Sequence, residues 1–263
     1  MVHKPHSAEA LSGQAVLSLV DIPTEEALLS ALSDCLDQGK GFAVATLNVD
    51  HIVKLRRDAA FRSAYLAQTH VVADGNPVVW LAHLSGRRDI RLVPGSELIT
   101  PLAALAARKG APIAFFGSRD TVLQAAARQL QADHPGLQVG ACIAPPMGFD
   151  PDSPAADALL DDLAASGARL VFLALGAPKQ ERLAARGIAR HPHMGFVSIG
   201  AGLDFIAGFQ TRAPLWVRRI AMEWLWRMLS DPRRLAKRYL DCALVLPDLA
   251  LAARKQGRDD RTS

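Results

Sequence analysis

The sequence predicts an α/β fold in which a mainly parallel, Rossmann-like sheet is covered by helices. The chain has 263 residues, of which 50% are hydrophobic and 21% charged, so it can bury a sizeable core. Short apolar runs alternate along the chain with longer segments of helical periodicity. The short runs are almost continuously hydrophobic, which is typical of parallel strands buried on both faces.

Six apolar runs are predicted to be strands, and helices are predicted between them. The strands lie at 42–46, 70–73, 112–116, 137–143, 169–175 and 195–199. Thr24 is expected to cap a helix with Glu25 and Glu26 in its first turn, and Asp50 to open another. Further helices are expected at Pro77, which suits a first helical turn, and after Ser118 over 119–132.

The positive charge is concentrated at the C-terminal end of the chain. Residues 1–211 carry 18 basic and 20 acidic side chains, whereas residues 212–263 carry 12 and 6. Three of the four tryptophans, Trp216, Trp224 and Trp226, lie in the same tail. Basic charge with aromatic residues is typical of a segment that binds anionic lipid, and a nucleic-acid arm is an alternative. A helical pair packed on the sheet with a solvated basic face is a further alternative.

These patterns predict a core over 14–211, a helical basic appendage over 212–255, and disorder in 1–13 and 256–263. Helices are expected to begin at Pro214 and Asp231-Pro232. We expect removal of 212–263 to abolish association with liposomes and to reduce activity far more than folding. The sequence has no membrane-spanning pattern, and three widely separated cysteines do not form a disulfide framework. A cytoplasmic protein is therefore expected.

The most informative residues follow four of the predicted strands, because ligands bind at the carboxyl ends of strands in open α/β sheets. Asp74, between a buried strand and a turn, is a candidate general base, and an Asx-turn residue is the alternative. The segment from Gly176 to Glu181 combines backbone N–H groups with Lys179 and could bind a nucleotide phosphate. A plain turn with Lys179 in solvent is the alternative.

The other motifs give little support to a dinucleotide site, a metal site, a serine hydrolase or an NTPase. Gly200 and Gly202 lack the third glycine of a dinucleotide fingerprint, so a nicotinamide oxidoreductase is only a weak alternative. Asp150 and Asp152 could hold a metal between phosphates, but Asp152-Ser153-Pro154 is more typical of a helix start. His191 and His193 lack a third metal ligand nearby. The sequence contains neither a Gly-x-Ser-x-Gly elbow nor a Walker loop.

Taken together, these motifs resemble the WecG/TagA/CpsF glycosyltransferase family over about residues 14–240. The resemblance is carried by Thr46-Leu47-Asn48, Ala73-Asp74-Gly75-x-Pro77, Arg91-x-x-Pro94-Gly95-Ser96-Glu97-Leu98, Phe116-Gly117, Gly176-x-Pro178-Lys179-Gln180-Glu181, Gly200 to Asp204, Arg212-Ala213-Pro214-x-Trp216, Glu223-Trp224-Leu225-x-Arg227, Pro232-x-Arg234 and Arg238-Tyr239. The single pieces are unspecific, but the ordered set is highly specific.

The resemblance implies inverting transfer of a hexose, often N-acetylmannosamine, from a UDP-sugar to a polyprenyl-diphosphate-linked sugar at the inner face of the cytoplasmic membrane. It also implies a Rossmann-like fold and an enzyme of the N-acetylmannosaminyltransferase type. The resemblance implies that the reaction needs no metal or other cofactor. The family's proposed base matches Asp74. Other pocket residues match Thr46, Asn48, Gln180 and Asp204, and arginines that close over the donor diphosphate match Arg227, Arg234 and Arg238.

From the sequence, we therefore assign Asp74 and Thr46 to catalysis. Substrate binding is assigned to Asn48, Gly176, Lys179, Gln180, Glu181, Asp204, Arg227, Arg234 and Arg238. Glucose remains an alternative donor sugar to N-acetylmannosamine. A non-catalytic module that binds a nucleotide sugar or nucleic acid is the alternative function, although no nucleic-acid partner is expected of a transferase. Exposed tail helices are compatible with a homo-oligomer.

Overall fold

The computed structural model describes residues 13–210, Pro214, Val217, Trp226, Met228 and 232–262. The predicted disorder of 1–12 lies outside these residues, as do Arg227 and most of the helix predicted from Pro214. Gly13 begins the first helix, so the predicted disorder does not reach it.

Six strands form a single sheet in which every pair of neighbours is parallel, in the order β2-β1-β6-β5-β3-β4. The strands are β1 (Phe42–Leu47), β2 (His70–Ala73), β3 (Ile113–Gly117), β4 (Val139–Ile143), β5 (Leu170–Ala174) and β6 (Gly195–Ser198). The predicted parallel sheet is therefore confirmed, and each observed strand agrees with a predicted apolar run within two residues at either end.

Eleven helices are present in the described part of the chain. They are α1 (Gly13–Leu17), α2 (Glu25–Asp37), α3 (Val49–Arg57), α4 (Ala59–Leu66), α5 (Asn76–Leu84), α6 (Ile99–Lys109), α7 (Asp120–Asp133), α8 (Pro154–Ala165), α9 (Lys179–Arg190), α10 (Gly202–Ile206) and α11 (Pro232–Thr262). They cover both faces of the sheet, which explains why the strands are not patterned into one apolar and one polar face.

Successive strand residues point into different cores. Val44 packs with α2, α6, α7 and α10 in one core, whereas Ala43 and Ala45 pack on the other face. That second face has one cluster built with α1, α3, α4, α5 and α11, and another built with α8 and α9. The sheet is therefore the middle layer of a three-layer α/β/α arrangement.

Capping residues fix where several helices begin. The Thr24 hydroxyl accepts a hydrogen bond from the Ala27 amide at 3.2 Å, which confirms the predicted start of α2. Helix α3 begins one residue earlier than predicted, because Asn48 caps it and Asp50 lies in its first turn. Ser153 precedes α8, which begins at Pro154 as predicted.

The C-terminal helix α11 packs against α1, α3 and α5. Leu235 is buried on it, and Leu249 and Ala253 are completely buried in the core cluster shared with α1. The helix continues to Thr262, whereas disorder is predicted from residue 256. Because α11 contributes Leu249 and Ala253 to a core cluster, we expect removal of 212–263 to expose that cluster and to lower stability as well as activity.

Within the described residues, no helix is both long enough and apolar enough to cross a membrane.

Candidate functional site

The ends of four adjacent strands bring most of the predicted site residues to one edge of the sheet. In the order β2-β1-β6-β5, all strands run in the same direction, so their carboxyl ends meet there. Asp74 follows β2, Thr46 and Asn48 lie at the end of β1, Asp204 follows β6 in α10, and Gly176 follows β5. These residues are widely separated in sequence and are gathered only by the sheet.

Thr46 lies against the backbone of the loop between α5 and α6. A Cβ built on Gly95 would lie 3.1 Å from both Thr46 Cγ2 and the Ser198 carbonyl oxygen, and 3.2 Å from Thr46 Oγ1. A side chain at position 95 would therefore crowd the ends of β1 and β6. Thr46 itself is only 4% exposed, so its hydroxyl is held close to the loop that crosses the strand ends.

Asn48, a predicted substrate-binding residue, also caps a helix. Its Oδ1 accepts a hydrogen bond from the His51 amide at 3.0 Å and so caps α3. The same amide has an Nδ2 group that a cap does not use, because capping needs an acceptor only. Asn48 can therefore fix the start of α3 with its oxygen and direct its N–H donors toward a ligand.

Asp74 is half-buried where β2 ends. Its backbone N–H donates to the Leu47 carbonyl at 2.8 Å, which continues the pairing of β2 with β1 and fixes the residue beside the end of that strand. Gly75 follows with φ +95°, a conformation that favours glycine, and is the N-cap residue of α5. Pro77 lies in the first turn of α5, as predicted. The turn thus holds the Asp74 carboxyl at the candidate site.

Gln180 bridges the two glycine turns that follow β5 and β6. Its Oε1 accepts hydrogen bonds from the Gly176 amide at 3.2 Å and from the Gly200 amide at 3.1 Å. The side-chain Nε2 donates to Glu181 Oε1 at 2.8 Å. Gln180 is only 3% exposed, and the Gly176 N–H that was expected to meet a phosphate is already bonded within the protein.

Glu181 is completely buried beneath this edge of the sheet. Burial raises the pKa of its carboxyl to about 7, although the Gln180 hydrogen bond and the Lys54 charge act in the opposite direction. Within the described structure its Oε2 has no hydrogen-bond partner. The Glu181 side chain, which the sequence analysis assigns to substrate binding, is therefore enclosed by protein in this structure.

His51 and Tyr65 extend the buried polar cluster. His51 Nε2 lies 4.0 Å from Glu181 Oε1, and His51 Nδ1 lies 3.3 Å from the Tyr65 hydroxyl. Burial, together with the nearby charge of Lys54, lowers the pKa of His51 to about 3, so the imidazole is neutral at physiological pH. Sequence reasoning missed both residues, since neither follows a strand.

Lys179 is directed toward the protein in this structure. Its Nζ donates to the Phe149 carbonyl at 2.7 Å, which joins the start of α9 to the loop after β4. The predicted alternatives were a phosphate contact and exposure to solvent. The observed bond corresponds to neither, because a carbonyl that lies far away in sequence competes for the ammonium group.

The C-terminal helix brings Arg238 near the candidate site. Arg238 Nε lies 3.3 Å from Asp50 Oδ1. Lys54 Nζ donates to Asp50 Oδ2 at 2.6 Å and to the Ala177 carbonyl at 3.2 Å. The cluster therefore connects α11, the first turn of α3 and the turn after β5, and Lys54 is a second cation that sequence reasoning missed.

The remaining predicted residues are placed as follows. Asp204 lies in the short helix α10, half-buried, and its carbonyl accepts bonds from the amides of Phe209 and Gln210. An open groove lined by Ser96, Glu97, Thr100, Phe205, Ile206, Gly208 and Gln210 adjoins it. Arg234 lies in α11, but its side chain is outside the described part of the structure, as is all of Arg227.

Asp150 and Asp152, the carboxylates considered as possible metal ligands, bond within the protein. Asp150 Oδ1 accepts from the Asp152 amide at 3.0 Å, and the Asp152 carboxylate forms an ion pair with Arg182 of α9. Among the described residues there is no group of three or more His, Cys, Asp or Glu side chains that could hold a metal ion.

Comparison with known proteins shows the family of the chain. The pattern of the glycosyl transferase WecG/TagA/CpsF family matches residues 15–261. The chain belongs to this family. One curated relative, from Bacillus spizizenii, is 27% identical over 76% of this chain and 75% of its own length. Another, from Bacillus subtilis, is 24% identical over 86% of this chain and 84% of its own length. Both are named N-acetylglucosaminyldiphosphoundecaprenol N-acetyl-beta-D-mannosaminyltransferase.

Proposed function

We propose that this glycosyltransferase moves a hexose from a UDP-sugar to a polyprenyl-diphosphate-linked sugar, with inversion at the anomeric carbon, in the biosynthesis of a surface polysaccharide. Membership of the family supports the glycosyl transfer itself. The names of the two relatives support N-acetylmannosamine as the donor sugar and N-acetylglucosamine on undecaprenyl diphosphate as the acceptor. Glucose is the alternative donor sugar.

The observation that carries the proposal is the convergence of polar groups at the carboxyl edge of four adjacent strands. Thr46, Asn48, Asp74 and Asp204 reach this edge from three different strand ends. A transferase needs a base and several positioned hydrogen-bonding groups around one reacting carbon. The edge supplies both types of group on a rigid support.

Asp74 is proposed as the general base. In an inverting displacement the acceptor hydroxyl attacks the anomeric carbon as the bond to the nucleotide diphosphate breaks. The hydroxyl proton passes to the Asp74 carboxylate, and the bonding electrons leave with the diphosphate. Removing such a base lowers rates by about 10² to 10⁴. Thr46 and Asn48 would orient the substrates beside it.

Fixed cations are proposed to stabilise the departing diphosphate. Arginine suits this task because its planar guanidinium can donate two parallel hydrogen bonds to phosphate oxygens. Arg238 is already held near the turn after β5 through Asp50 and Lys54. Arg227 and Arg234 are the other arginines that the family resemblance assigns to this role.

The outer face of α11 is proposed to bind the anionic inner surface of the cytoplasmic membrane, where a lipid-linked acceptor is embedded. Leu240, Leu244 and Leu251 are 61%, 70% and 68% exposed. Exposed basic residues lie before and after them on the same helix: Arg233, Lys237, Arg254 and Lys255. An apolar stripe between cations is typical of a helix that lies on a charged lipid surface.

An exchange of Asp74 tests the catalytic proposal. We expect Asp74→Asn to lower transfer from UDP-N-acetylmannosamine to an undecaprenyl-diphosphate-N-acetylglucosamine acceptor at least about 100-fold, with UDP affinity nearly unchanged. Asp162→Asn, an exposed position on α8, is the matched control. Full transfer by Asp74→Asn would refute the base assignment.

The alternative, a binding module without catalysis, makes a different prediction. It requires UDP-sugar binding by calorimetry but no transfer by the wild-type protein, whichever UDP-sugar and lipid-linked acceptor are supplied. Measurable turnover with any member of such a panel would exclude it.

Vesicle binding tests the proposed membrane surface. We expect Leu240→Ser with Leu244→Ser to reduce co-sedimentation with phosphatidylglycerol vesicles, while transfer to a soluble acceptor analogue stays at the wild-type level. Met147→Ser, a fully exposed apolar residue after β4, serves as the control. Unchanged binding of the double variant would contradict the proposed surface.

A further inference from the structure

We infer that Glu181 is a positioning residue, a buried carboxyl that fixes the Gln180 side chain and, through it, joins the two glycine turns after β5 and β6. The inference begins with the position of Glu181, which is completely buried although it directly follows Gln180 at the candidate site. A carboxyl in this location needs a reason, because removing such a group from water is costly.

The hydrogen bonds of Gln180 provide the reason. The two ends of an amide have almost the same shape but opposite hydrogen-bonding character. Gln180 Oε1 faces two donors, the Gly176 and Gly200 amides, and its Nε2 faces an acceptor, Glu181 Oε1. A rotated amide would point N–H groups at two N–H groups, so this arrangement permits one orientation only.

Two strand ends depend on this one side chain. Gly176 follows β5 and Gly200 follows β6, and neighbouring strand pairing ends before either glycine. Gln180 therefore joins the turns where the sheet itself no longer does. Helix α10, which contains Asp204, begins at Gly202, two residues after Gly200. The hydrogen bond from the Gly200 amide to Gln180 therefore helps to fix the start of α10.

Glu181 also has support from other elements. The Gln68 side chain donates to the Glu181 carbonyl at 3.0 Å, and His51 Nε2 lies 4.0 Å from Oε1. The Asn48 oxygen in turn binds the His51 amide. Glu181 therefore lies against α3 through its carboxyl group and against the segment that follows α4 through its main-chain carbonyl, and the carboxyl is completely buried.

The catalytic part of this inference rests on the proposed function, but the hydrogen-bond part does not. Hydrogen exchange at the Gly176 and Gly200 amides, followed by NMR in the full chain, measures the bridge directly. In the wild type, both amides should be protected at least about tenfold relative to free peptide amides, since each is bonded to Gln180. Exchange at the unprotected rate would overturn the inference without any variant.

Three amino-acid substitutions distinguish a positioning role of Glu181 from a general role in packing. Glu181→Leu removes the acceptor, and we expect exchange at both glycine amides to rise about tenfold and kcat/KM to fall about 10- to 100-fold. Glu181→Gln keeps an acceptor oxygen and should remain within about threefold of the wild type in both measurements. Leu183→Ala, a completely buried position on the same helix, should lower stability but leave both glycine amides protected.

The outcomes distinguish the two proposals. If Glu181→Leu leaves both amides as protected as in the wild type, or if Glu181→Gln loses as much activity as Glu181→Leu, the positioning role is refuted. If the wild type transfers no sugar while the amide exchange behaves as expected, the proposed function fails and the bridge stands. If Glu181→Leu does not fold, the wild-type exchange measurement and Glu181→Gln still decide the question.

Discussion

At the scale of one residue, Gly95 allows a loop to pass close to the candidate site, because glycine has no side chain. The loop between α5 and α6 passes over the ends of β1 and β6 at this position, where a Cβ would lie 3.1 Å from Thr46 Cγ2 and from the Ser198 carbonyl oxygen. The Val93 amide donates to the Ala73 carbonyl at 2.8 Å just before it, so the loop is also attached beside Asp74. The loop is thereby fixed next to Thr46 on one side and next to Asp74 on the other.

We predict that Gly95→Ala lowers kcat/KM about 10- to 100-fold, because the added methyl group must displace the loop, Thr46 or the end of β6. The expected loss of stability is about 1 to 3 kcal/mol, as for other overpacked sites. Gly110→Ala is the control, since φ +60° there imposes backbone strain without contacts near a Cβ. Equal activity of the two variants would show that the close approach is unimportant.

At the scale of elements, α11 is both a core helix and an exposed surface. Its inner side contributes Leu249 and Ala253 to a core cluster shared with α1, and its outer side exposes three leucines. The ion pairs of Arg238 with Asp50 and of Asp241 with Arg57 align α11 along α3. The predicted appendage is therefore attached to the core by its inner face.

Substitution by alanine should destabilise the protein strongly at one leucine of α11 and hardly at all at another. We predict that Leu249→Ala lowers the free energy of unfolding by about 2 to 4 kcal/mol, because it leaves a cavity between α11 and the core. Leu251→Ala, at a position 68% exposed, should change it by less than about 0.5 kcal/mol. Urea unfolding measures both, and similar values would mean that α11 does not pack as described.

At the scale of the whole molecule, two buried groups link stability to pH in opposite directions. Glu181 has a folded-state pKa of about 7, above its ordinary 4.5, so its contribution to stability is lost as the pH rises through that interval. His51 has a folded-state pKa of about 3, below its ordinary 6.5, so its contribution is lost as the pH falls through that interval. The two effects partly offset each other in the overlapping range.

Glu181→Gln isolates one of these effects. Because glutamine does not ionise, we predict that the variant gains about 1 to 3 kcal/mol relative to the wild type between pH 4.5 and pH 8. Unfolding in urea at several pH values measures this difference. Parallel pH curves for the two proteins would contradict the raised pKa of the buried carboxyl.

The sequence by itself determined the layers of the fold and the edge of the sheet at which the candidate site residues lie. Continuous apolar runs predict strands buried on both faces, and the residues after those runs reach one edge because parallel strands share a direction. Asp74, Thr46 and Asn48 could therefore be named before the structure was known. The family resemblance added the reaction, because composition and spacing alone left a binding module open.

Only the tertiary structure decided which of those residues are buried and which of them bond to other parts of the protein. Glu181 and Lys179 belong to the same short motif, yet one is completely buried and the other bonds to the Phe149 carbonyl, 30 residues away. The contacts of His51, Tyr65, Lys54 and Gly95 likewise join segments that no local pattern connects. Burial and hydrogen-bond partners arise from long-range packing, so a residue's neighbours in sequence do not reveal them.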